Sequence, residues 1–287
     1  MSIDSGRRRH PNARAARPQG QITRGKTARN RLRRVDAFLT LYDPAALGGA
    51  DRAAGGGWFV DLGFGAEPWT TLESAHRLRR HNPWLPVLGV EIDPERVAAA
   101  EPYGGDGIVF RRGGFNLPLV RDGTNPEWVR VIRAFNVLRQ YDEDAVAGAY
   151  RGMALATGPG TLLIEGTSDP LGRIWTANVA RRSQVGETGW EMEALVFSTS
   201  FGDGFDPALF QPVLPKNYIH RMVPGEPVHW LMEQWKRAAA ATQFERVWGM
   251  RAWFAAAALA LQRMGVPVDA RPRWTRRGFL VVNCPFT

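Results

Sequence analysis

Apolar positions along the middle of the chain follow one rhythm. Short apolar runs at residues 58–62, 87–92, 108–112, 128–135 and 162–165 are bounded by Gly, Pro, Asp or Asn. They are too short for buried helices and read as strands. Between them, residues 70–80, 94–100 and 143–156 carry apolar residues at helical spacing. Proline opens the second of these helices, where its missing N–H leaves no bond unmade. Strand and helix alternating in this way predict an α/β protein with a parallel sheet covered on both faces.

The flanks read differently. Leu32, Val35, Leu39 and Tyr42 predict a helix, with Thr27 as its N-cap and Asp43-Pro44 as its end. Residues 48–57, rich in glycine, form a loop into the first strand. Beyond the fifth strand, residues 175–181 and 191–201 predict two strands around a turn at 186–189. A stretch punctuated by proline follows at 207–227, then helix from Val228 to about Met264 with an interruption near Gly249. Residues 278–284 predict a final strand, and no internal repeat is visible.

Charge divides the chain unevenly. The formal net charge is +9, yet residues 1–34 hold ten Arg and one Lys against the single acid Asp4. The remainder is close to neutral. Residues 1–23 hold almost nothing apolar and cannot bury enough surface to order themselves. We therefore expect a disordered basic arm over residues 1–27 and one domain over 28–287, with a helical insertion at about 203–264. The arm reads as a solvated tail, a non-specific nucleic-acid contact, or a guide that brings an RNA or another anionic partner to the pocket, the tail ranking first and RNA contact next. Clustered charge without interleaved aromatics carries no base-reading code. The single cysteine, Cys284, cannot pair within the chain, and no Cys/His spacing suggests a metal. The longest apolar helical run, 253–261, is far short of the ~20 residues that span a bilayer. A cytoplasmic setting without a membrane partner is the expectation.

Candidate chemistry gathers at the strand ends. Asp61, Gly63 and Gly65 follow the first strand, and Glu91 ends the second. Glycines there allow a tight turn and close ligand approach, and the Glu91 carboxylate can accept hydrogen bonds from ribose hydroxyls. Gly65 is followed by Ala66-Glu67-Pro68, not by the Gly-Lys-Ser/Thr ending of a phosphate loop. Pro68 also stands where a dinucleotide fingerprint needs its third glycine. Asp61 before the glycines suits a cationic ligand better than a pyrophosphate.

These residues resemble the cofactor half of the class I S-adenosylmethionine-dependent methyltransferases. Asp61-x-Gly63-x-Gly65 is similar to the family's first motif, and Glu91 in Gly-Val-Glu-Ile-Asp to its second. Gly113-Gly114-Phe115-Asn116-Leu117-Pro118 is similar to its adenine-bordering stretch, with Gly114 where an acid is usual. Residues 132–140 resemble its fourth strand, with Asn136, Arg139 and Gln140 at the polar places. The resemblance spans roughly residues 55 to 167. It implies a Rossmann-like, mostly parallel seven-stranded sheet with an antiparallel closing strand. It further implies S-adenosyl-L-methionine as cofactor, with Asp61 near the methionine amino group, Gly63 and Gly65 near its chain, and Glu91 on the ribose. Gly114 and Phe115 would border the adenine, and Asn136 would either make a polar contact on the cofactor side or serve as a turn former. The chemistry implied is in-line methyl transfer, in which alignment and desolvation contribute most.

The acceptor is not legible. His220, between Tyr218 and Arg221 in the inserted region, is the best-placed general-base candidate among the five histidines. Glu165, Thr167 and Asp169 either line an acceptor pocket or form a turn, the turn being favoured. No Asn-Pro-Pro-Tyr-like run marks an amino-directed nucleic-acid methylase. Two alternatives stand beside the methyltransferase. One is a non-catalytic or RNA-directed nucleic-acid-binding protein on the same fold. The other is an NAD(P)-dependent oxidoreductase, which Pro68 and Asp61 disfavour.

Overall fold

The computed structural model describes residues 17–48, 57–121, 126–184 and 187–283. Cys284, the first sixteen residues of the basic arm, and parts of the expected loop at 48–57 and turn at 186–189 lie outside the described residues.

Nine strands form one sheet in the order β3-β2-β1-β4-β5-β6-β7-β9-β8. They are β1 (Gly57–Leu62), β2 (Val87–Glu91), β3 (Ile108–Arg112), β4 (Trp128–Phe135), β5 (Leu162–Ser168), β6 (Ile174–Arg182), β7 (Trp190–Thr199), β8 (Val268–Asp269) and β9 (Phe279–Asn283). Strands β1 to β5 pair in parallel, whereas β6, β7, β9 and β8 join by antiparallel pairing. Most strands therefore run the same way, with β6 and β9 opposed. The expected seven strands with one antiparallel closing strand are corrected to nine. The reason is local: Asp169 accepts from the Leu171 and Ile174 amides at 3.1 and 2.9 Å and turns the chain straight back after β5. A turn that short cannot make a parallel crossover, so β6 must run antiparallel.

The helices are α1 (Arg33–Tyr42), α2 (Pro44–Leu47), α3 (Trp69–Leu78), α4 (Pro94–Ala100), α5 (Glu143–Leu155), α6 (Lys216–Ile219), α7 (Pro227–Ala241), α8 (Met250–Arg263) and α9 (Pro272–Thr275). Helix α1 starts at Arg33, well past Thr27, which is not its cap; Asp43 ends it and caps α2 through the Ala46 amide. Alternation along each strand separates two layers. Phe59, Ile164, Val196 and Val281 pack with Val35, Phe38 and Trp274 on one face. Val60, Leu163 and Ala180 pack with Val146, Tyr150 and Met153 of α5 on the other. On that second face, Leu195, Phe197, Leu280 and Val282 meet Trp235 of α7 and Phe254 of α8. The expected insertion thus has its own aromatic core against the antiparallel half. No helix among the described residues is long and apolar enough to cross a membrane.

Candidate functional site

The site is built at the ends of β1, β2, β4 and β5. After β1 the chain turns through Gly63 (φ 75°) and Gly65 (φ 90°), a left-handed conformation that other residues resist. A Cβ at Gly63 would lie 2.5 Å from Val137 Cγ2, so the turn can close against the end of β4 only without a side chain. The Gly63 amide donates to Val90 O at 2.7 Å and the Gly65 amide to Glu91 Oε2 at 3.0 Å, joining this turn to β2.

Glu91 is buried and largely satisfied by the backbone. Besides Gly65, the amides of Ile92 and Asp93 donate to its Oε1 at 2.9 and 3.3 Å. Arg96 lies 3.7 Å away, and Asp93 caps α4 through the Glu95 amide. Asp61 is held differently. Arg133, fully buried on β4, grips it through Nε at 3.2 Å and Nη2 at 2.8 Å, while the Thr70 and Thr71 hydroxyls donate at 3.0 and 2.7 Å. Arg133 also binds Asp36 of α1 at 2.7 Å and the Ser74 hydroxyl. Burial works against its charge, but Asp61 and Asp36 outweigh that and raise its pKa further. Both Asp61 oxygens are therefore engaged within the protein. The residue expected near a methionine amino group is a partner of Arg133.

Asn136 ends β4 in the left-handed region (φ 61°). Its Oδ1 accepts from the Ser168 amide at 3.0 Å and its Nδ2 donates to Ser168 Oγ at 3.1 Å, which ties the tips of β4 and β5 together. Gly114 and Phe115 follow β3. Phe115 is buried edge-on against Tyr141, with ring centroids 5.4 Å apart.

Two depressions open beside these residues and share Gly63, Thr23 and Val137. The larger is a cavity of about 690 Å³ over the ends of β1, β4 and β5, a size usual for small-molecule sites. Asp61, Gly63, Gly65 and Asn136 line it. So do Arg24, Lys26 and Arg139, exposed cations for which no carboxylate partner is found among the described residues. The smaller lies between Glu91, Gly114, Phe115 and Tyr141, where the resemblance leads one to expect the nucleoside, and leaves about 20 Å³ free. That is room for a water molecule and not for a purine nucleoside. Residues of the basic arm fill it. The arm, expected to be disordered through residue 27, is laid across the strand ends from residue 17 onward, with Gln19 O accepting from the Phe115 amide at 2.9 Å.

His220 is not brought to either depression. It is exposed at the end of α6, while its neighbour Arg221 pairs with Glu143 at 3.0 Å. Asp169 forms the turn described above. Glu165 is buried on the α5 face, where Tyr150 Oη and Asn178 Nδ2 donate to its Oε2 at 3.2 Å. Burial, with no cation beside it, pushes its carboxyl up to about 7.

Arg24, Lys26 and Thr27 line the larger cavity although they lie outside the motifs. The sequence does carry a signal: Gly20 to Thr27 fits the phosphate-loop spacing Gly-x-x-x-x-Gly-Lys-Thr. Residues 17–19 before it form no strand and no helix opens at Lys26, so these residues do not make that cradle; they wall the larger cavity instead. Among the described residues no cluster of His, Cys, Asp and Glu could hold a metal.

No protein-family model matches the chain, and no curated protein sequence does. Solved structures similar to it include LepI in complex with SAM, at 17% identity and TM-score 0.33, covering 44% of this chain and 30% of that one. Human N-acetylserotonin methyltransferase in complex with SAM has 16% identity and TM-score 0.30 over 48% of this chain and 36% of that one. Magnesium protoporphyrin IX methyltransferase from Synechocystis with bound SAH has 17% identity and TM-score 0.31, over 48% and 54%. The chain thus spans between about a third and about half of these proteins. Overlaps this loose decide neither ligand nor activity.

Proposed function

We propose that the chain is an S-adenosylmethionine-dependent methyltransferase. The observation that carries this reading is the Gly63–Gly65 turn. It joins β1 to Glu91 at the end of β2 and borders a cavity of small-molecule size at the carboxyl ends of the strands, where open α/β sheets bind ligands. In the conformation described, the nucleoside part of the cleft does not fit the cofactor, because Gln19, Gly20, Gln21 and Thr23 of the arm close it down. Binding therefore requires those residues to leave. The larger cavity remains for the acceptor. Its cations Arg24, Lys26 and Arg139 favour an acceptor bearing a carboxylate or phosphate, since the lining carboxylates Asp61 and Asp169 are both engaged elsewhere.

Calorimetry with S-adenosylhomocysteine tests the reading. Binding in the micromolar range supports it, and no heat at millimolar ligand from either the folded full chain or a folded chain beginning at Thr23 overturns it. A second reading, a non-catalytic protein on this fold that contacts RNA through the arm, is favoured by the filled cleft and by the engaged Asp61. It expects RNA binding that weakens steeply with salt, with no methyl transfer from the donor to the RNA tested.

A further inference from the structure

Residues 17–25 offer almost no apolar surface, and Ile22 stays 59% exposed. The segment is held mainly by hydrogen bonds, and the groups that hold it are those of the cleft. The Phe115 amide donates to Gln19 O, while Asn116 Oδ1 accepts from the Gln19 amide at 2.9 Å. Tyr141 Oη accepts from the Gln21 amide at 2.7 Å and donates to Gln21 O at 3.2 Å. Gln140 Oε1 accepts from the Arg24 amide at 2.8 Å. Arg96 Nη2 donates to Thr23 O at 2.9 Å, and the Ala66 amide donates to Gly25 O at 2.8 Å. The approach at Gly114 is closest: a Cβ there would lie 1.9 Å from Gln19 O.

From this geometry we infer that residues 17–25 form a displaceable strap that occupies the nucleoside cleft, so that strap docking and nucleoside binding exclude each other. The inference rests on the methyl-donor reading above. Its physical basis is that the strap and a purine nucleoside compete for the same polar groups. The Phe115 amide needs an acceptor atom, and Gln19 O supplies it. The Phe115–Tyr141 pair is covered by Gly20, whose added Cβ would lie 2.8 Å from Tyr141 Oη and 3.5 Å from Phe115 Cε2. Hydrogen bonds that exchange with water are individually weak. A strap without an apolar anchor can therefore be exchanged for a ligand that brings its own bonds and a stacking ring. The apparent affinity is then the intrinsic one reduced by the fraction of molecules with the strap open.

The test uses S-adenosylhomocysteine as probe and two readouts. In calorimetry, a chain that begins at Thr23 is expected to bind at least tenfold more tightly than the full chain. In limited trypsin digestion of the full chain, cleavage after Arg24 and Lys26 is expected to speed up when the probe is added. Gly114→Ala is expected to speed the same cleavage without any probe, because its methyl group collides with Gln19 O; this variant keeps the test open should the shortened chain fold poorly. Slower cleavage with the probe, or weaker binding by the shortened chain, would show a strap that completes the site and would overturn the inference. Equal affinities of the two chains would overturn it while leaving the methyl-donor reading intact. Absence of binding by both folded chains would overturn the methyl-donor reading and the exchange with it.

Discussion

The ends of β1 and β5 flank β4, and each buries a carboxyl group on a different face of the sheet. At β1, on the α1 side, Asp61 meets a guanidinium and two hydroxyls, and Arg133 shares its charge with Asp36. At β5, on the α5 side, Glu165 meets a phenol and an amide and no cation; its Oε1 has no partner among the described residues. The difference shows what burial demands. Burial without a counter-charge favours the neutral form of a carboxyl group, which is the situation of Glu165. The first arrangement sets a fully hydrogen-bonded Asp61 in the cavity wall, and the second makes a group that titrates near neutrality.

Replacing Arg133 strikes hardest at the first arrangement. Arg133→Met leaves Asp61 buried without a cation and Asp36 with Arg77 alone, and is expected to cost about 3–5 kcal/mol, measured by chemical denaturation. A loss under about 1 kcal/mol, the size of a surface pair, would mean that the two aspartates do not depend on it.

The Glu165 side predicts the opposite dependence on charge. Its carboxyl is raised from 4.5 to about 7. Between those values the folded chain keeps the proton that the unfolded chain has lost. This group therefore lowers stability as pH rises, and above about 7 its penalty is constant. The full effect is on the order of 3 kcal/mol. Unfolding free energies of Glu165→Gln from chemical denaturation are expected to match wild type near pH 4.5 and to exceed it by up to that amount at about pH 8. A stability difference independent of pH would sink the assignment.

Glu91 is a third solution, a carboxylate held by backbone amides. Glu91→Ala removes the partner of the Gly65, Ile92 and Asp93 amides. It is expected to weaken S-adenosylhomocysteine binding at least tenfold, about 1.4 kcal/mol, with the fold intact by circular dichroism. Unchanged affinity would exclude Glu91 from the ligand site. The least change is expected at the cavity rim. Lys26→Ala should weaken binding of pyrophosphate, used as an anionic probe, severalfold in low salt and hardly at all in high salt, because exposed charges are screened.

Much of the parallel half is legible in the sequence because its signals are local. The apolar runs that become β1 to β5 lie between glycines and prolines that end them, and β3 and β4 fall on the expected residues. The Gly63–Gly65 turn is legible for the same reason. Other features depend on residues far apart. Asp61 is neutralised by Arg133, 72 residues away, and nothing near Asp61 announces that partner. Thr27 has the chemistry of a cap, but Arg29 to Leu32 form turns and delay α1 to Arg33. Asp169 reads correctly as a turn residue, yet the turn's consequence, an antiparallel β6, follows only from its tightness in the folded chain.

Periodicity, backbone freedom and composition act over a few residues, and what they dictate is visible before folding. The alternation of strands and helices, the glycine turn after β1, the acid at the end of β2 and the positive charge before residue 35 all belong here. Which carboxylates are already engaged, how many strands the sheet holds and where the arm lies emerge with the folded chain alone. A polar segment such as 17–25 has no pattern that predicts its partners. It is placed by the shape and unmet hydrogen bonds of a cleft whose parts, Phe115, Tyr141 and Arg96, come together only in three dimensions.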